Sequence, residues 1–359
     1  MSRETLAGAA FLGLIGVVLP LLGLAPFAVT PIYIVNSVGQ ILCFVLLAMS
    51  VDLMWGGVGV LSLGHGLYFA LGGYLMAMHL LRTAYALTGV LPDFLNFMGQ
   101  TAFPAWWRPF DSSLFTLFAL VAAPTLVAGV FGYVSFRSRV NGVYLSIITQ
   151  ALTYTAMLMM FRNNSGFGGN NGMTGFREFF GLRIGGVACG VLLATLSGAA
   201  ALLALTFGRL LLSTRYGRLL AAIRDDEPRL RFLGYETLWI KLSAWCLSAV
   251  LAALAGALYV PQVGIINPSL LDPALSLEVA IWVAVGGRGG LLGAAIGAVL
   301  INSVKFWLAA AAPAAWPFVL SGVVLLIALA LPNGLLDALG WRRGPKLPAL
   351  AGLSRKEAP

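Results

Sequence analysis

Long apolar runs succeed one another along the chain, each near the roughly 20 residues that a helix needs to cross a bilayer core of about 30 Å. They predict spans near 6–23, 32–54, 66–82, 113–136, 140–160, 184–208 and 242–260. An irregular pair within 276–308 and a last span at 315–331 follow. The short alternating segments of a membrane β-barrel are missing from this pattern. The expectation is an all-α polytopic membrane protein: a helical bundle of about eight to ten transmembrane segments, with broken helices and a cytoplasmic coupling helix. Residues 1–335 would form the membrane domain and 336–359 a basic cytoplasmic tail.

Two glycine-rich stretches interrupt the runs at membrane depth: WGGVGVLSLGHG from Trp55 to Gly66, and VGGRGGLLG from Val285 to Gly293. Backbone polar groups cannot stay bare in lipid, so broken helices survive only where they line a cavity or are buried in protein. In transporters they commonly mark the translocation path, and Ser62, His65, Glu278 and Arg288 are candidates for it. Close helix packing is the other reading, and it suffices for scattered small residues such as Gly198 and Gly297. Asp52, Glu278 and Arg288 are ionisable residues at membrane depth, where charge is costly and usually functional. Glu278 and Arg288, ten residues apart across the second break, are a candidate pair. Asp52 and Glu278 could equally sit at helix ends near the interface.

Charge fixes an orientation. The chain is 60% hydrophobic and 10% charged, with a net charge of +9. If 209–241 is cytoplasmic, fifteen Lys and Arg fall inside. Five fall outside: Arg82, Arg108, Arg162, Arg177 and Arg183. That bias agrees with the positive-inside rule, puts both termini inside, and makes nucleic-acid binding an unnecessary explanation of the charge. For the tail to end inside, 276–308 must cross an even number of times or re-enter, which a break at Gly286–Gly290 allows. Residues 6–23 read as a retained first span, not a cleaved signal. Cys43, Cys189 and Cys246 lie singly in apolar runs and read as packing residues.

Catalytic chemistry has little to stand on. His65 and His79 are the only histidines, too few for a zinc site with its usual ligands, and no G-x-x-x-x-G-K-[ST] phosphate loop occurs. No cofactor is expected on this chain; if ATP drives it, the ATP and Mg must be bound by another chain. The outer loop 83–112 carries Trp106, Trp107 and Phe110 beside Pro104 and Pro109, suiting an interfacial belt or an external docking surface. The loop FRNNSGFGGNNGMTGF offers neutral amides at Asn163, Asn164, Asn170 and Asn171. These suit a neutral polar solute, or simply a turn.

The stretch Arg215–Tyr235 is the chain's main polar interruption. Asp226 stands where an N-cap would precede Glu227 and Pro228, and Gly234 where a helix would stop. These signals predict a short helix at 228–233 mixing Leu230, Phe232 and Leu233 with Arg229 and Arg231. A topology signal needs only bases, yet this loop keeps Asp225, Asp226, Glu227 and Glu236 as well. It therefore reads as a docking element for a cytoplasmic partner, with Arg224, Asp225, Asp226, Glu227, Arg229, Arg231, Phe232, Gly234 and Tyr235 as contacts.

Three blocks resemble a known family. AIRDDEPRLRFLGYETLWIKLSAWCLSAVLAALAGALY, GVGVLSLGHGLYFALGGYL and VAVGGRGGLLGAAIGAVL are similar to permeases of ABC importers of the branched-chain amino-acid type. VPQVGIINPS, GFGGNNGMTGF and the PAWWRPF loop look more like the urea, or short-chain amide, branch. Two departures stand out: the alanine-rich E-A-A signature of other such permeases is not literally present, and Gly290 follows GGRG where Thr is more usual. The resemblance implies a multi-pass bacterial inner-membrane subunit that pairs with a second related permease, two cytoplasmic ATPases and an external solute-binding protein. Its loop helix would insert into the ATPase. Urea and branched-chain amino acids are the candidate cargoes. A stand-alone channel or secondary carrier for a small neutral solute is the competing class; it would need no docking loop.

Overall fold

The computed structural model describes residues 32–97, 99–140, 142–162 and 166–311, with scattered positions between 314 and 338. The expected span at 6–23, most of that at 315–331, Asn163, Asn164 and nearly all of the basic tail lie outside the described residues.

Helices dominate. In chain order they are α1 (Ile32–Val58), α2 (His65–Thr88), α3 (Asp93–Phe97), α4 (Ser113–Arg137), α5 (Val143–Met160), α6 (Val187–Ser213), α7 (Arg215–Phe232), α8 (Thr237–Val263), α9 (Pro273–Gly286), α10 (Leu291–Ala311) and α11 (Leu335–Ala338). Two-residue strands β1 (Met173–Thr174) and β4 (Ile265–Ile266) pair antiparallel, as do β2 (Glu178–Phe179) and β3 (Leu182–Arg183). Six described helices, α1, α4, α5, α6, α8 and α10, are long and apolar enough to cross a membrane, confirming a polytopic α-helical membrane fold.

α8 is the hub and packs most extensively against α2, α1 and α4. Glycine makes this possible. A β-carbon at Gly72 would overlap the Ala253 backbone, and one at Gly256 the Phe69 carbonyl, so α2 and α8 touch main chain to main chain. α2 is buried along most of its length. α4 and α5 instead expose apolar side chains, as helices at the lipid boundary do.

The loops 83–112 and 161–183 share one end of the bundle. Phe167 packs tilted against Trp106 and edge-on to Tyr74, with ring centroids 5.4 and 5.5 Å apart, and Arg82 grips Asp111 through its Nε at 2.6 Å. Here Trp107 is fully buried while Trp106 stays 46% exposed. At the opposite end Arg137 and Arg139 share a cavity with Arg231 and Tyr235. α9 and α10 form a hairpin folded at 287–290, so 276–308 runs down and back. Tyr33 at the start of α1 stacks on Phe306 near the end of α10, with centroids 6.4 Å apart.

Candidate coupling site

α7 lies at the same end as Arg137 and Arg139; its part after Asp226, residues 227–232, is the expected short helix, and a further helical part, 215–225, precedes it. The element spans eighteen residues and is broken at Asp226, whose extended φ of −157° divides it in two. The caps are where the sequence puts them. Asp226 Oδ1 accepts the Arg229 N–H at 3.1 Å, and Gly234 takes φ +87° just past the end. The unexpected part is the leading half. Gly217, Leu220 and Ile223, spaced three apart, turn one face inward, and a β-carbon at Gly217 would overlap the Leu212 backbone.

The leading half reaches the glycine breaks. Arg224 Nη1 donates to the Gly56 carbonyl at 2.8 Å. Gly56 in turn lies against Gly289, whose Cα and N a methyl group there would overlap. The Gly289 N–H donates to Asp52 Oδ1 at 2.6 Å, and Asp52 is buried in the last two turns of α1. The Arg288 guanidinium sits 5.7 Å from the Trp55 ring centroid, and Gly334 packs on Gly287. The two glycine-rich interruptions are therefore one junction, with α7 attached to it.

The trailing half is fastened by charge. Glu227 Oε1 accepts from Arg231 Nη2 at 2.7 Å and from the Thr237 hydroxyl at 2.8 Å, while Lys241 Nζ lies 2.8 Å away as an ion pair. Lys241 is only 1% exposed and sits 4.9 Å from the Phe136 ring centroid. A buried ammonium is tolerated only when paired. Burial pushes the Glu227 carboxyl up, but bonding to Lys241 and Thr237, the Lys241 charge and Arg231 outweigh it and hold the carboxyl below the usual glutamate range. Beyond this knot Phe232, Leu233 and Tyr235 are exposed, Phe232 to 92%.

The first break is satisfied by neighbouring hydroxyls. Thr149 Oγ1 accepts the Leu63 N–H at 3.1 Å, Ser146 donates to the Leu61 carbonyl at 2.7 Å, Ser276 accepts the Gly66 N–H at 3.2 Å, and Ser62 accepts the Gly64 N–H at 3.2 Å. His65 opens α2 with Nε2 3.2 Å from Ser248 Oγ, edge-on to Tyr68 and Trp245. Ser62 and His65 are each 1% exposed.

Comparison with known proteins bears on the permease resemblance. Residues 33–329 match the family described as branched-chain amino acid transport system / permease component. The chain belongs to this family. It is a family of transport permeases, not of enzymes. The permease is 26% identical over 281 residues to the high-affinity branched-chain amino acid transport system permease protein LivM of Salmonella typhimurium. It is equally similar to LivM of Escherichia coli. Each match covers 72% of this chain but 59% of the relative's length. No solved structure matches.

In the permease, the candidate path residues do not form one cluster. Ser62 and His65 are neighbours and Arg288 lies at the junction. Asn170 and Asn171 are exposed on the 3₁₀ turn Gly169–Asn171 at the opposite end. The expected Glu278–Arg288 pair is replaced by Glu278–Lys305, with Nζ 2.8 Å from Oε2. The reason is the hairpin. α9 carries Glu278 about 12 Å along its axis from Gly286, at 1.5 Å per residue, and α10 returns Lys305 alongside it. Lys241, Thr237, Ser146, Thr149 and Ser276 are new members of the site. The hydroxyls at 146, 149 and 153, three and four apart on an apolar helix, were the available signal.

Proposed function

We propose that this permease is one membrane subunit of an ATP-driven importer of the bacterial inner membrane, with α7 and both termini cytoplasmic. Its partners are a second, related permease, two ATPase subunits that carry the ATP and Mg, and an external solute-binding protein. The observation that carries the reading is the double fastening of α7. Arg224 ties it to the junction of the two breaks, and Glu227 ties it to α8, the hub of the bundle. A partner gripping the exposed Phe232, Leu233 and Tyr235 would move both anchorages together. A partner's grip shifts the bundle between two states only by its differential affinity for them. A stand-alone channel or secondary carrier has no use for such an element. Vanadate-sensitive uptake by the reconstituted transporter supports the importer; uptake unaffected by vanadate and by removal of the ATPases overturns it.

For the cargo we favour urea or a similar short-chain amide. The broken segment at Ser62 and His65 is lined by hydroxyls, and Glu278 is neutralised by Lys305. A neutral amide needs hydrogen bonds alone, whereas an amino acid brings a carboxylate and an ammonium to be compensated. Branched-chain amino acids are the second reading, favoured by what the LivM relatives are named for. Competition between labelled urea and leucine decides: leucine entering and urea failing to compete would reverse the assignment.

A further inference from the structure

A cavity of about 320 Å³ opens between the end of α4, the start of α8 and the segment after α7. Arg137 and Arg139 line it from one side, and Tyr133 and Trp239 from another, with ring centroids 6.0 Å apart. Arg137 Nη1 donates to Tyr133 Oη at 2.6 Å, which sets its direction. Arg139 holds φ +56°, a conformation uncommon outside glycine, where the chain turns after α4. Neither arginine takes a carboxylate partner among the described residues. Arg231, also on the wall, is already neutralised by Glu227, and Glu236 contributes one carboxylate to the rim.

We infer that this cavity binds the phosphate headgroup of an anionic phospholipid at the membrane boundary on the α7 side. Charge complementarity alone would also suit an acidic segment of a soluble partner. Continuity with the lipid-facing surface decides between them. Leu126, Val130 and Val134, four residues apart, form an exposed apolar stripe along α4, and Arg137 continues it one turn further. An acyl chain lying on that stripe brings its headgroup to Arg137. The Tyr133–Trp239 pair marks the depth at which aromatic side chains meet headgroups. Basic pockets between membrane helices are the usual form of such sites. A lipid here would bear on Thr237 and Tyr235, so its occupancy would stiffen the anchorage of α7's trailing half.

Native mass spectrometry of the full chain, loaded from phosphatidylglycerol or phosphatidylcholine micelles, tests this. Arg137→Gln combined with Arg139→Asn, chosen because asparagine tolerates φ above zero, should weaken phosphatidylglycerol retention about 30-fold. Phosphatidylcholine retention and the melting temperature in detergent alone should be unchanged. If the double variant does not fold, Arg139→Asn alone should still lower retention about fivefold. A matching pair at the opposite end, Arg177→Gln with Arg183→Gln, should have no effect. Unchanged phosphatidylglycerol retention overturns the inference, as does displacement by millimolar inorganic phosphate. Loss of co-purifying ATPase with lipid retained would give the cavity to a soluble partner instead.

Discussion

The two halves of α7, on either side of Asp226, are attached to the bundle by different physics. The leading half is held by main chain: Arg224 reaches a carbonyl, and beyond it glycine backbones meet at distances no side chain would permit. The trailing half is held by charge, with one carboxylate shared among Arg231, Thr237 and a buried ammonium. Main-chain contact sets position and tolerates little change. A buried charge cluster sets orientation and responds to protonation. An element that must carry force into a membrane bundle gains from both, because the first fixes where it acts and the second fixes its angle.

The largest expected effect comes from breaking the charged anchorage alone. Glu227→Gln leaves Lys241 buried without its counter-charge, at a cost of about 3–5 kcal/mol. Hydrogen exchange should then rise across 227–236 while 215–225 stays protected. Adding Lys241→Met should restore most of the loss, since removing both charges of a buried pair is far milder than removing one. If the single variant exchanges no faster than the parent, the charged anchorage is not what holds this half.

Thr149→Val probes the junction from the other direction. It leaves the buried Leu63 N–H unpaired and should lower stability by about 1–3 kcal/mol, read as a drop in melting temperature without faster exchange in 227–236. Gly234→Val forces a β-branched residue to φ +87°, which costs about 1–3 kcal/mol locally. No neighbouring atom would obstruct the side chain, so the expected readout is mechanical. ATP-dependent uptake should vanish while affinity for the solute-binding protein persists, and retained uptake would refute the coupling role.

Smaller effects separate the halves further. Arg224→Gln removes the bond to the Gly56 carbonyl and the exposed 3.3 Å pair with Asp225, about 1 kcal/mol in all, and should loosen 215–225 only. Acidification should do the reverse. Glu227's carboxyl is held below its ordinary range in the folded state, so its stabilisation is present above that range and is lost as pH falls through the depressed value. Exchange in 227–236 should therefore rise at low pH while that in 215–225 does not, and parallel behaviour of the two would collapse the distinction.

Sequence alone carried the local features. Asp226 and Gly234 announce themselves as caps because capping is chemistry between near neighbours, and the glycine clusters are visible as composition. It did not carry the partners. Ser146, Thr149 and Ser276 meet the 61–66 backbone across 85 to 210 positions of chain, and nothing local marks which hydroxyl answers which amide. The Glu278–Arg288 expectation failed for the same reason: proximity in sequence stands in poorly for proximity across a reversing hairpin. The leading half of α7 goes unmarked in the sequence because Leu220 and Ile223, which bury it, pack against a core assembled from distant parts of the chain.

The contact between Gly334 and Gly287 bears on how the chain is built. The α9–α10 hairpin is synthesised, and can enter the bilayer, before residue 334 exists. The backbone that rests on its turn leaves the ribosome after the hairpin does. Assembly of the junction is thus completed from the C-terminal side. A chain cut short before Gly334 would carry every helix described through Ala311 and still lack the piece that closes them.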